Sequence, residues 1–97
     1  MMRVEFHRRA AEEFLSAVES YESQSPGLGG SFASAVLRAS TQVAEFPESG
    51  RPFGHRIRRV LVNGFPYGML YNAEPNRIFV VAVAHLHRRP DYWRERA

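Results

Sequence analysis

The most constraining feature of this sequence is an uninterrupted apolar run near its carboxyl end, from Ile78 to Ala84. The run is rich in β-branched residues, which favours a strand, and it is far too short to cross a bilayer as a helix. A strand that is apolar on both sides belongs in the interior of a sheet. We therefore predict a central strand over Ile78–His85 that is covered on at least one face by a helical layer.

Two amphipathic segments earlier in the chain can supply that layer. The first repeats apolar residues at the three-and-four spacing of one helix face, at Ala11, Phe14, Leu15, Val18 and Tyr21. The second has its apolar side at Phe32, Val36, Leu37, Val43 and Phe46. Residues 25–30 contain a proline and three glycines, which break the first helix, and Pro47 ends the second. Two helices joined so closely are expected to form an antiparallel hairpin.

Three further segments are typical of short strands, namely Arg3–His7, Ile57–Val62 and Tyr67–Ala73. Asn63 and Gly64 are characteristic turn residues between the last two of them. Residues 51–56 are expected to form a loop, because Pro52 and Gly54 interrupt regular structure there. After the last strand, residues 91–97 are expected to form a short helical or irregular tail.

These elements predict a single α+β domain over residues 1–97, in the order β-α-α-β-β-β. A helical hairpin packs on one face of a mainly antiparallel sheet. A chain of 97 residues is too short for two cores. It has no cysteine, which excludes disulfides, thiolate zinc sites and thiol catalysis. Residues 1–5 lack the apolar segment of a secretory signal, so we expect a cytoplasmic protein without membrane contact.

The charge is distributed unevenly along the chain. Residues 1–50 carry four Arg and seven Glu, whereas residues 51–97 carry nine Arg, two Glu and one Asp. All basic residues are arginines, whose planar guanidinium binds phosphates and carboxylates through two parallel hydrogen bonds. GC-rich codon usage can explain the lack of lysine, but it does not explain the asymmetry. The basic second half therefore indicates an anionic macromolecular partner.

Two histidines follow the central strand closely. If that strand continues to His87, then His85 and His87 point to the same face, where two imidazoles can act as acid and base. Alternatively, they are hydrogen-bonded structural groups at the strand end. Only His7 and His55 remain as further histidines, and cysteine is absent, so no metal site is expected.

Most of the arginines in the second half fall into two groups. One follows the last strand and the other opens the strand at Ile57, and they comprise Arg88, Arg89, Arg94 and Arg96, and Arg56, Arg58 and Arg59. If both groups line one rim of the sheet, that rim can bind phosphates or a protein partner. The alternative is a charged edge that resists aggregation. Tyr92 and Trp93 either stack on bases or hold the tail against the core. The signatures of nucleotide-binding loops are absent, and no cofactor is expected.

Five motifs occur in an order that resembles the RelE/ParE toxin superfamily, over essentially the whole chain. They are Y-x-x-x-S-P-G-L-G-x-x-F (Tyr21–Phe32), E-F-P-E-S-G (Glu45–Gly50), I-R-R-V-L-V (Ile57–Val62), F-P-Y-G-M-L-Y (Phe65–Tyr71) and V-A-V-A-H-L-H-R-R-P-D-Y-W (Val81–Trp93). The resemblance implies a toxin of a type II toxin–antitoxin pair, wrapped and silenced by the carboxyl-terminal segment of a co-encoded antitoxin. RelE-like members cut mRNA in the ribosome, and ParE-like members poison DNA gyrase without cutting anything themselves.

The resemblance also separates these two activities. RelE-like nucleases place an Arg directly after the tyrosine that corresponds to Tyr67, where this chain has Gly68. They place another just past the last strand, and this position aligns best with Leu86. Tyr92 does match the family's catalytic tyrosine. Because two expected cations are missing, the resemblance favours a ParE-like toxin over a nuclease.

The leading hypothesis is therefore a ParE-like gyrase inhibitor that forms a hetero-oligomer with its antitoxin. Its expected target- and partner-binding residues are Arg56, Arg58, Arg59, Arg88, Arg89 and Arg94. The alternative is a ribosome-dependent mRNA endonuclease, and its catalytic candidates are His85, His87, Arg88 and Tyr92. A third hypothesis is that the chain is a degenerate homologue that binds the antitoxin but is no longer toxic.

Overall fold

In the computed structural model, which describes residues 1–89 and 91–97, two helices pack on one face of a five-stranded sheet. The elements are β1 (Val4–Phe6), α1 (Arg8–Gln24), α2 (Leu28–Glu45), β2 (Arg51–Pro52), β3 (Ile57–Val62), β4 (Tyr67–Ala73), β5 (Ile78–His85) and a 3-10 helix (Arg94–Arg96). The predicted α+β order is confirmed, with the short β2 as an addition. β1 is shorter than predicted because His7 instead caps α1, where its Nδ1 accepts a hydrogen bond from the Arg9 amide at 3.0 Å.

The sheet has the strand order β1-β5-β4-β3-β2. β1 pairs parallel with β5, with Val4 opposite Ile78, and the other strand pairs are antiparallel. β5 therefore lies in the interior of the sheet, as its apolar sequence predicts. The pairing of β4 with β5 has a bulge that leaves Val81 without a direct partner, since Leu70 faces Ala82 and Tyr71 faces Val80.

The prediction of a loop over residues 51–56 is wrong for its first two residues. Arg51 and Pro52 form the edge strand β2, where a proline is tolerated because one side of the strand has no neighbour. The hairpin between β2 and β3 then closes through Gly54, His55 and Arg56, which all have positive φ angles, of 88°, 49° and 65°. A left-handed conformation is uncommon for His and Arg, so the short hairpin connection imposes it.

The two helices are separated by only three residues, 25–27, because α2 begins at Leu28, within the segment 25–30 that ends the first helix. Gly27, the residue before α2, has no side chain to cap it. The Glu22 carboxylate of α1 provides that cap, since it accepts hydrogen bonds from the amides of Gly27 and Gly29 at 3.0 Å each. The end of one helix therefore fixes the start of the next.

The buried sides of the helices agree with the prediction only in part. Leu15, Leu37 and Phe46 were expected on the apolar faces but are exposed. The surfaces that contact the sheet include small residues, with Ala10, Ala17, Ala35 and Ala39 buried in the core. Phe14, Val18 and Tyr21, which the spacing also predicted, do pack against the core. The buried face of α1 is therefore displaced by less than one residue position.

The close approach of the helices predicts opposite effects for two neighbouring glycines. A Cβ atom on Gly29 would lie 2.6 Å from the Val18 carbonyl oxygen, whereas one on Gly30 would meet nothing within 4 Å. We expect Gly29→Ala to lower the free energy of unfolding by about 1–3 kcal/mol through overpacking. Gly30→Ala should raise it by about 0.5–1 kcal/mol through helix propensity. Urea denaturation of both variants checks this, and equal effects of one sign would contradict it.

Candidate partner-binding face

The two faces of the sheet are covered differently. On the helical side, Val62, Met69 and Tyr71 belong to the main core with α1 and α2. Because side chains alternate along a strand, Ile57 and Leu70 point the opposite way, into a second apolar cluster. We call this side of the sheet the open face.

The carboxyl-terminal tail packs on the open face through Trp93. This side chain is 2% exposed and lies in the second cluster, with its ring centroid 6.2 Å from that of Phe53. Of the two roles that the sequence allowed for Trp93, the structure shows the packing of the tail against the core. The residues next to Trp93 are thereby held at the end of β5.

Arg96 and Glu13 cover the edge of β5 beyond the point where β1 ends. The Val83 amide donates to the Glu13 carboxylate at 3.0 Å, and Arg96 donates to the Val81 carbonyl oxygen at 3.1 Å. The two side chains also form an ion pair at 2.9 Å, and only 10% of the Arg96 side chain and 17% of the Glu13 side chain are exposed. They satisfy main-chain groups that a neighbouring strand would otherwise bind, which protects the edge. Nothing in the sequence distinguishes Glu13 from the other glutamates of α1.

Tyr92 is part of the same arrangement. Two guanidinium groups contact its ring: the guanidinium carbon lies 4.0 Å from the ring centroid for Arg88 and 4.9 Å for Arg96. Its hydroxyl is buried near Glu13, but no hydrogen bond of good geometry joins it to a described residue. Burial, and then the negative charge of Glu13, raise the pKa of Tyr92 to about 12. A buried hydroxyl that resists ionisation suits a structural role better than proton transfer to a substrate.

Three of the predicted arginines meet on the open face. Arg59 of β3 lines a pocket of about 220 Å³ together with Arg88 and Arg89, which follow β5. The walls of this pocket are largely apolar and aromatic, and they include Phe53, Leu70, Leu86, Tyr92 and Trp93. We call it the cationic pocket. The two basic groups of the sequence therefore approach each other through Arg59 from one group and Arg88 and Arg89 from the other.

Gly68 lies directly under Arg59. A Cβ atom at this position would be 3.0 Å from Cδ and 3.1 Å from Cγ of Arg59, and 3.5 Å from a methyl group of Leu86. The aliphatic part of Arg59 therefore occupies the space that a side chain at position 68 would need. The absence of a cation at Gly68 and the position of Arg59 are thus one structural feature, which the sequence alone did not connect.

The remaining predicted arginines lie elsewhere. Arg56 and Arg94 line a separate cavity of about 340 Å³ with His55. Arg58 points to the helical side of the sheet, where it donates to the Gly50 carbonyl oxygen at 2.8 Å. This bond holds the loop between α2 and β2. Because neighbouring side chains of β3 alternate, Arg58 lies on the face opposite to Arg59 and the cationic pocket.

The two histidines are close together. β5 ends at His85, as predicted, so His87 lies beyond the strand and the condition for a shared strand face is not met. A turn brings their ring centroids to 5.2 Å. The His87 amide donates to Nδ1 of His85 at 3.1 Å, so a neutral His85 carries its proton on Nε2. Both side chains are exposed. Within residues 1–89 and 91–97, no group of three or more potential ligands could hold a metal ion.

Comparison with known protein families identifies the chain. Residues 4–90 match the model of the ParE toxin of type II toxin–antitoxin systems, parDE. This chain belongs to the ParE toxin family. The family assignment confirms the ParE-like side of the resemblance in the sequence, and with it a toxin of the type II toxin–antitoxin class, whose members pair with an antitoxin.

The fold of this ParE-family chain agrees with that assignment. It is similar to a solved structure described as the chromosomal ParDE toxin–antitoxin system from P. aeruginosa, with a TM-score of 0.75 and 12% sequence identity. The similarity covers 88% of this chain and 96% of the other. No curated protein sequence matches the chain. Neither helix in residues 1–89 and 91–97 combines the length and apolarity needed to cross a membrane.

Proposed function

We propose that this ParE-family chain inhibits DNA gyrase in the cytoplasm and is neutralised by a co-encoded antitoxin. The observation that carries the proposal is the composition of the open face: it presents Arg59, Arg88 and Arg89 together, while Gly68 leaves no place for a further cation. Such a face can bind an anionic surface. It lacks the additional cation that the RelE-like nucleases place at that position.

The antitoxin is expected to contact the same basic half of the chain. Residues 51–97 carry an excess of positive charge, and electrostatic complementarity with an acidic partner speeds association and selects the right one. Arg56 and Arg94, at the separate cavity, are proposed as further contacts of the antitoxin or the target. Arg58 is the weakest of the proposed contacts because its guanidinium is already bound to Gly50.

Expression in bacteria tests the proposal against its alternatives. We expect the chain alone to arrest growth and induce the response to DNA breaks, and a neighbouring small acidic protein to restore growth. Primer extension on cellular mRNA should show no new cleavage sites. Cleavage of ribosome-bound mRNA without DNA breaks would instead support the nuclease, for which the exposed pair His85 and His87 provides the chemistry. Normal growth would indicate a degenerate homologue.

Tyr92 gives a sharper test between gyrase inhibition and mRNA cleavage. We expect Tyr92→Phe to arrest growth like the unchanged chain, because the hydroxyl is buried; a nuclease that uses this hydroxyl would lose its activity. Removing a hydroxyl without an aligned partner should change the free energy of unfolding by less than about 1 kcal/mol near neutral pH.

The same variant has a distinct dependence on pH. An exposed tyrosine ionises near pH ~10, while the pKa of Tyr92 is raised to about 12 in the folded chain. The resulting contribution to stability is fully present below pH ~10 and is lost as the pH rises through about 12. Thermal unfolding measured across this range should show a shallower loss of stability in Tyr92→Phe. Identical profiles would contradict the buried position of the hydroxyl.

A further inference from the structure

The Arg59 side chain is held in one place but is not fully bonded. Its guanidinium carbon lies 4.8 Å from the centre of the Phe53 ring, and its aliphatic part lies over Gly68. Nε of Arg59 is buried and finds no hydrogen-bond partner among the residues that the structure describes. Unbonded buried donors are rare in folded proteins. Arg59 as a whole is only half-buried, so an acceptor that enters the pocket can bind the accessible part of this guanidinium, which packing already holds in place.

The surroundings of Arg59 are suited to an anion. Elsewhere in the chain, arginines at several positions bind glutamates: Arg3 and Arg77 bind Glu5, and Arg96 binds Glu13. Arg59, Arg88 and Arg89 form no ion pair with any residue in 1–89 or 91–97, yet they line the same pocket. The charges of three guanidinium groups are therefore uncompensated within one pocket of about 220 Å³.

Two exposed leucines at or near this pocket distinguish a peptide from a nucleic acid as the anionic partner. Leu86 is 42% exposed and lines the pocket. Leu61 is 57% exposed and lies opposite Gly68 in the pairing of β3 with β4. A sugar–phosphate backbone would leave both leucines without apolar contacts. A peptide that carries apolar residues next to a carboxylate would cover them.

We propose that the cationic pocket receives an Asp or Glu side chain from a segment of a partner protein that carries apolar residues next to this carboxylate. The planar carboxylate accepts from the Arg59 guanidinium, Arg88 and Arg89 add a favourable field, and apolar neighbours of the carboxylate cover Leu61 and Leu86. The biological role of this binding rests on the proposed function, because the pocket is part of the proposed toxin surface. The binding itself can be measured without gyrase or antitoxin.

The test uses the whole ¹⁵N-labelled chain and follows the Nε–H signals of arginine side chains by NMR. The probe is the capped tripeptide Leu-Glu-Leu, and its matched control is capped Leu-Gln-Leu. We expect the Glu peptide to shift the Arg59 signal in a saturable way, and the Gln peptide to bind at least about tenfold more weakly, which corresponds to about 1.4 kcal/mol. Equal binding of the two peptides, or no shift of the Arg59 signal, overturns the proposal. So does tighter binding of a short single-stranded oligonucleotide at the same signal.

A variant that keeps every charge separates this pocket from general electrostatics. In Gly68→Ala the new methyl group would lie 3.0 Å from Cδ of Arg59, so Arg59 must move, and we expect the Glu peptide to bind at least about tenfold more weakly. Arg38→Ala removes an exposed arginine on α2 and should bind the peptide unchanged. If Gly68→Ala does not fold, Arg59→Lys, which keeps the charge but lacks the planar guanidinium, is expected to lose the same affinity. Binding as tight as in the unchanged chain overturns the proposal.

Gyrase inhibition is measured separately, so the two proposals can fail independently. Peptide binding without any effect on gyrase would contradict the proposed function and leave the pocket intact. Gyrase inhibition by a chain that does not bind the Glu peptide would contradict the pocket alone.

Discussion

Replacing both Arg88 and Arg89 with alanine is expected to abolish gyrase inhibition while the chain stays folded. Both side chains are exposed and line the cationic pocket. A hydrogen bond to a charged group contributes about 1.5–3 kcal/mol, so the loss of two should weaken target binding by at least about a hundredfold. The measurement is the concentration of toxin that yields half-maximal linear DNA from a supercoiled plasmid with gyrase and ATP.

The matched control removes the same charge from the other side of the molecule. Arg8 and Arg38 are exposed on α1 and α2, and their double replacement with alanine should leave gyrase inhibition within about threefold of the unchanged chain, since surface charges far from an interface contribute little. Circular dichroism and thermal unfolding of both double variants establish that they fold. Full inhibition by the Arg88 and Arg89 variant, or equal losses in both, would show that the cationic pocket is not the active surface.

Val81→Asp is expected to unfold the domain. Val81 is fully buried in the second cluster, to which Trp93 also belongs, and its carbonyl oxygen is bound by Arg96. An aspartate there would bury a charge without a partner, which costs several kcal/mol and is a large part of the total stability of a small domain. We expect loss of the cooperative thermal transition and of the dispersed NMR spectrum at neutral pH.

Leu61→Asp is the control for Val81→Asp, because it makes a similar apolar-to-acidic change at an exposed strand position. Its effect on the free energy of unfolding should stay within about 1 kcal/mol, the range of strand propensities. A folded Val81→Asp with a near-normal melting temperature would contradict the burial of β5 on the open face.

The sequence was sufficient for the elements whose pattern is local. β3, β4 and β5 begin and end where their apolar segments and turns predict, and the two helices follow their three-and-four spacing. Which residues at the margin of each apolar face are buried was not predictable in this way. Phe32, Val36 and Val43 are buried as predicted. Leu15 and Leu37 extend the same apolar stripes in the sequence but are exposed, and small residues such as Ala17 are buried instead.

Parts of the candidate site depend on contacts that no local pattern encodes. The ion pair of Glu13 with Arg96 joins residues at opposite ends of the chain. The position of Arg59 over Gly68 depends on the register between β3 and β4. The clustering of the arginines in the sequence was therefore enough to recognise them as candidates. It could not predict that they are divided between two cavities and the helical side of the sheet.

The most direct test of the proposed function is gyrase-dependent cleavage of supercoiled plasmid in the presence of the purified chain and ATP. We expect linear DNA to accumulate with gyrase, to be absent without it, and to disappear when the co-encoded antitoxin is added. The absence of cleavage by a chain that still arrests growth would contradict gyrase as the target and direct attention to the ribosome and to His85, His87 and Tyr92.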